Sequence, residues 1–116
     1  IMDYVSDEYL GYLYKQCTLF VYPSLFEGFG MPPLEAMACG CPVLASNINP
    51  IKEICKKAPI YFNPKNIQDI VDKTLSLNKD LQKQKNHINL GYEVSNVYSW
   101  DKCFKETTDL ILNIIS

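Results

Sequence analysis

The sequence predicts an α/β domain, a Rossmann-like parallel sheet with flanking helices. Three observations predict it. Residues 17–22 and 41–46 are compact apolar runs without polar alternation, as in strands covered on both faces. A helix-like segment lies between them, and strand, helix, strand within about 30 residues makes a βαβ unit with parallel strands. Beyond residue 62 the apolar residues recur mainly at helical spacing.

Each element has its own reason. Residues 1–5 read as a strand end. Ser6 is the expected cap of a first helix, with Asp7 and Glu8 at its positive end. Tyr9, Leu10, Leu13 and Tyr14 continue that helix to about Gln16. Pro23 and Ser24 stop the first apolar run, and residues 25–33 form a glycine-rich loop. Pro32 and Pro33 fit a first helical turn, where an N–H is not needed. That helix runs to Cys39, with Gly40 as its C′ residue. Asn49 as cap and Pro50 behind it open a short helix to about Cys55, and residues 59–62 form a third strand. Ile67, Ile70, Val71, Leu75 and Leu77 make one amphipathic stripe, and the polar residues 78–87 continue into a weaker helix. Ser99 caps a last helix with Phe104, Leu110, Ile111, Ile114 and Ile115 on its apolar side.

A length of 116 residues suits one domain. Eleven Lys, no Arg and 13 acids give a net charge of −2 with no basic stripe, so nucleic acid is not an expected partner. The five cysteines include only a C-x-C pair, Cys39 and Cys41, and the single His87 is distant, so no zinc spacing exists. Reduced, mostly buried thiols are expected. No apolar run approaches the ~20 residues that span a bilayer. The expected location is the cytoplasm, including peripheral attachment at the inner membrane face. The start inside a strand suggests an absent upstream region.

Glu27 and Glu35 carry the chemistry, with seven residues between them. The first sits in the loop and the second in the next helix, which puts both at the C-terminal edge of the sheet, where open α/β sheets bind ligands. Gly28 and Gly30 let backbone approach a ligand. The helix start favours an anion such as a diphosphate. Carboxylates accept hydrogen bonds from sugar and ribose hydroxyls. Two acids at this spacing also occur as plain surface charges, and a lone G-x-G lacks the third glycine of the dinucleotide fingerprint.

Residues 22–43 resemble the signature of glycosyltransferase family 4, P-S-x-x-E-G-F-G-x-P-x-L-E-A-M-A-x-G-x-P-V, with its E-x7-E motif. Residues 5–14, 48–54 and 98–100 resemble further stretches of that family, though Pro50 is displaced and Ile51 and Lys52 intervene before Glu53. The resemblance implies the truncated C-terminal half of a GT-B enzyme, with residues 1–116 as part of its nucleotide-sugar-binding domain. It implies a retaining transfer of a hexose from a UDP- or GDP-hexose to a glycan or lipid-linked acceptor. In that reading Glu27 is catalytic and lies near the anomeric centre. The backbone of Gly28, Phe29, Gly30 and Met31 holds sugar hydroxyls and phosphate, Glu35 grips the ribose, and Val5 contacts the base. No D-x-D pair of acids occurs, so no metal cofactor is implied.

Glu53 is open between a site acid and a helix-surface acid. His87 is expected as a solvated helix residue and Trp100 as a core anchor. No Lys or Arg adjoins the loop in sequence, Lys15 and Lys52 being the nearest. The resemblance implies that an Arg and a Lys upstream of Ile1, and an N-terminal acceptor domain, complete the family's site. The alternative is a non-catalytic nucleotide-binding or assembly module. It would pair with a separate acceptor-domain chain or self-associate through an exposed sheet edge.

Overall fold

The computed structural model describes residues 4–29 and 31–115. Of the strand end expected at residues 1–5, residues 1–3 fall outside them, as do Gly30 and the side chain of Trp100, and residues 4 and 5 form no strand. The elements are α1 (Asp7–Gln16), β1 (Phe20–Tyr22), α2 (Met31–Ala38), β2 (Val43–Ser46), α3 (Asn49–Cys55), β3 (Ile60–Phe62), α4 (Ile67–Asn78), α5 (Leu81–Asn96) and α6 (Trp100–Ile115). The three strands pair in parallel in the order β1-β2-β3, with Val21 beside Leu44 and Ala45 beside Tyr61.

The helix signals work through hydrogen bonds. Tyr9 N–H donates to Ser6 Oγ at 3.2 Å, and Lys102 N–H donates to Ser99 Oγ at 3.0 Å. Gly40 takes φ +77°, while Gly40 N–H reaches Met37 O and Cys41 N–H reaches Ala36 O, both at 3.0 Å. These two bonds form a Schellman motif that satisfies carbonyls at the end of α2. A Cβ at residue 40 would also meet the Tyr92 hydroxyl.

Several expectations need correction. Cys17 is the C-cap of α1, its N–H bonded to Leu13 O, so β1 starts only at Phe20. Val21 is 37% exposed, because β1 is an edge strand and only β2 is buried along its whole length. Ile48, not Asn49, caps α3, and it does so without a side-chain bond. On α4 the inward side is Ile70, Lys73, Thr74 and Leu77, the i, i+3, i+4, i+7 set. Ile67, at 79% exposure, and Val71 and Leu75 face outward. A break at Lys79 and an Asp80 cap separate α5 from α4. The thiols divide unevenly: Cys41 and Cys55 are buried, Cys39 is half-buried, and Cys17 and Cys103 are exposed.

The core has two parts, one on each sheet face. Val43 and Ala45 face a cluster with Tyr14, Leu34, Met37 and Ile51, and half-buried Leu90 and Val94 of α5 join it. Leu44 and Phe62 face Leu77 of α4. Helix α5 reaches α2 through Gly91, whose position for a Cβ is 3.1 Å from Met37 Cβ. His87 is half-buried and its Nδ1 is 2.7 Å from Ala58 O, so it ties α5 to the turn before β3 instead of sitting in solvent. Helix α6 leaves Phe104, Leu110, Ile111, Ile114 and Ile115 exposed.

Lys56 takes φ 52° and ψ −125°, and Ala58 N–H bonds to Cys55 O at 3.1 Å. This is a type II′ turn with lysine at the position that favours glycine. Lys56→Gly is therefore expected to raise the unfolding free energy by about 1 kcal/mol, read from urea unfolding.

Candidate functional site

The loop between β1 and α2 leaves the C-terminal end of the sheet. Ser46 Oγ, fully buried at the end of β2, donates to Tyr22 O at 3.2 Å and fixes the point where the loop departs. Five residues later the chain brings Glu27 back to the strand end, within reach of the Tyr22 hydroxyl. Tyr22 Oη donates to Glu27 Oε1 in a short hydrogen bond, and Ser24 Oγ lies 3.0 Å from the same oxygen. Ser24 Oγ also lies 2.8 Å from Phe26 O, so its single proton serves one acceptor at a time. Glu27 Oε2 receives no hydrogen bond from protein among the described residues.

Glu35 is held in a similar way from a different element. Tyr14, buried on α1, points its hydroxyl at Glu35 Oε2 on α2 at 3.4 Å. Both phenols stay protonated and act as donors. Burial first, and the Glu27 carboxylate second, push Tyr22 up to about 12. Burial and the Glu35 carboxylate push Tyr14 higher still. Each acid thus keeps one oxygen anchored and the other open. An ionised carboxylate has about four acceptor positions, which leaves room for ligand hydroxyls.

The start of α2 is a weaker anion cradle than the sequence suggests. Pro32 and Pro33 carry no N–H, so the first turn offers only Met31 and Leu34 as backbone donors. Gly28 is exposed, and a Cβ there would meet nothing within 4 Å, so the loop leaves open space above it.

A cavity of about 440 Å³ adjoins the loop, within the size range of small-molecule sites. Phe29, Met31 and Glu35 line one wall, and Tyr98, Ser99 and Lys102 line the other. Phe29 and Tyr98 meet edge to face, with ring centroids 6.1 Å apart. Glu27, Gly28 and Val5 do not line it. Val5 sits half-buried just ahead of the Ser6 cap. Glu53 is exposed on α3 and has no hydrogen bond among the described residues. Lys102 is a cation that sequence distance concealed, because it lies 67 positions from Glu35. It is 3.9 Å from Glu106, which lines the same cavity, so its charge is partly neutralised.

The chain matches a known family over most of its length. The family model described as "Glycosyl transferases group 1" matches residues 1–94. The chain belongs to the group 1 glycosyl transferases. It is 37% identical over 106 residues to the O-antigen chain mannosyltransferase B of Escherichia coli, covering 91% of this chain and 28% of that protein. It is 51% identical over 67 residues to the serotype-specific mannosyltransferase WbdA of Escherichia coli, covering 58% of this chain and 8% of that protein. Among solved structures, sucrose-phosphate synthase from Thermosynechococcus elongatus superposes with a TM-score of 0.89 at 22% identity. That superposition covers 98% of this chain and 29% of the synthase. The fold is therefore of the expected GT-B type. The chain spans less than a third of the length of each of these proteins. The family match ends before α6, so the Tyr98-Ser99-Trp100 stretch lies beyond it.

Proposed function

We propose that this chain is the donor-binding part of a retaining mannosyltransferase that moves a mannosyl group from a nucleotide sugar to a glycan or lipid-linked acceptor. The supporting observation is the pair of anchored acids at one sheet edge, each with an oxygen open to ligand hydroxyls. Glu35 grips the ribose at the wall of the cavity. Glu27 reads the sugar hydroxyls outside it, where its negative charge favours the positive charge that develops at the anomeric carbon. The backbone from Gly28 to Met31 follows the phosphates, and Val5 borders the base. Mannose is favoured because both relatives named above are mannosyltransferases.

One helix end supplies only about half a positive charge, too little for a departing diphosphate. In this reading the remaining cations and the acceptor site come from outside these residues. The chain alone binds donor without transferring it.

Calorimetric titration with GDP, UDP, GDP-mannose and UDP-glucose tests the proposal. The expected result is GDP binding with a dissociation constant of roughly 0.1–1 mM, worth about 4–5.5 kcal/mol. A preference for UDP would move the donor to a UDP-sugar. Failure of both nucleotides to bind would remove the donor-site reading.

A further inference from the structure

Cys17, at the end of α1, and Cys41, just before β2, place their Sγ atoms 3.0 Å apart. They are 24 residues apart in sequence, so the packing of α1 against the turn after α2 creates the pair. Both are free thiols. Cys17 is exposed, whereas Cys41 is buried and sits under the peptide groups that begin β2. Cys103 is also exposed on α6 but has no cysteine contact among the described residues.

We propose that Cys17 and Cys41 form an oxidative modification site, a dithiol that closes to a disulfide when a peroxide reaches Cys17. The Cys17 thiolate attacks one peroxide oxygen. The O–O bond breaks, and Cys17 becomes a sulfenic acid while the other oxygen leaves as water or alcohol. The Cys41 sulfur then attacks the Cys17 sulfur. The S–O bond breaks, and the hydroxide leaves as water with the Cys41 proton. Two thiols are oxidised by two electrons and one peroxide is reduced.

The geometry suits this closure. A disulfide needs about 2.05 Å between sulfurs, so the pair must close by about 1 Å. Cys17 can supply that movement because it is exposed and its backbone leaves the helix at ψ 144°. Burial, with Cys17 and Cys39 adding to it, pushes the Cys41 thiol up and makes it a poor first nucleophile. Its fixed position beside Cys17 compensates in the second step.

The bridge would also act on the site. Cys17 Sγ donates to Tyr14 O at 3.3 Å, and oxidation removes that donor. Tyr14 is the residue that anchors Glu35. This second link rests on the reading of Glu35 as the ribose grip, whereas the bridge itself does not.

The test treats the whole chain with hydrogen peroxide, quenches with N-ethylmaleimide and maps peptides by mass spectrometry. Free thiols are expected to fall from five to three, with a Cys17–Cys41 linked peptide as the main product. It should form at least about tenfold faster than Cys103 oxidises. Cys39→Ser should leave the product unchanged and Cys17→Ser should abolish it. A Cys17–Cys39 bridge as the main product would overturn the proposal. So would Cys17 passing to sulfinic acid at the rate of Cys103 while Cys41 stays free. GDP titration of the reduced chain tests the Glu35 reading separately and has no bearing on the bridge.

Discussion

Glu35→Ala is expected to weaken GDP and GDP-mannose alike, by about 100-fold. Two ribose hydroxyls donating to a charged carboxylate contribute about 1.5–3 kcal/mol each, and each factor of ten is about 1.4 kcal/mol. The upper part of that range is discounted because Glu35 is exposed and water competes for it. Removing the carboxylate leaves the Tyr14 hydroxyl without its acceptor, but that bond is long at 3.4 Å, so the fold should change little. Calorimetry of the variant beside the wild-type chain checks this, with the heat of binding expected to vanish at millimolar ligand. An unchanged affinity for both ligands would mean that Glu35 is a surface charge, as bare spacing allows.

Phe62→Ala is expected to lower the unfolding free energy by about 3–5 kcal/mol. Phe62 is fully buried against Leu44 and Leu77, and this small cluster is what holds α4 to the sheet. Total stability for a domain of this size is about 5–15 kcal/mol, so the variant should unfold at much lower urea. Phe26→Ala is the control: that ring is 87% exposed in the loop and its loss should change stability by less than about 0.5 kcal/mol. Equal effects at the two positions would show that α4 packs elsewhere.

The legible parts of this molecule are those fixed by local chemistry. Ser6, Gly40 and Ser99 act through the bonds their residue types suggest. The two apolar runs around α2 become neighbouring parallel strands. The illegible parts depend on tertiary choice. Helix α4 has apolar residues on two sides, and periodicity alone did not say that Ile70 and Leu77 face inward while Ile67 does not. Helix α5 reads as polar, yet Gly91 gives it the closest approach to α2. The positions of Glu27 and Glu35 were readable from the loop and its helix. Their anchors, Tyr22 and Tyr14, were not, because a phenol in an apolar stretch looks like ordinary core. Lys102 was hidden for a further reason: no local signal tells which wall of a cavity a distant helix will form.

In the proposed donor site Glu27 and Glu35 have divided roles, the first on the sugar and the second on the nucleotide. The most direct test compares GDP with GDP-mannose on Glu27→Gln. The expected result is a loss of about tenfold for GDP-mannose, about 1.4 kcal/mol, with GDP unchanged. Equal weakening of both ligands, or no change in either, would contradict that division and remove Glu27 from the sugar.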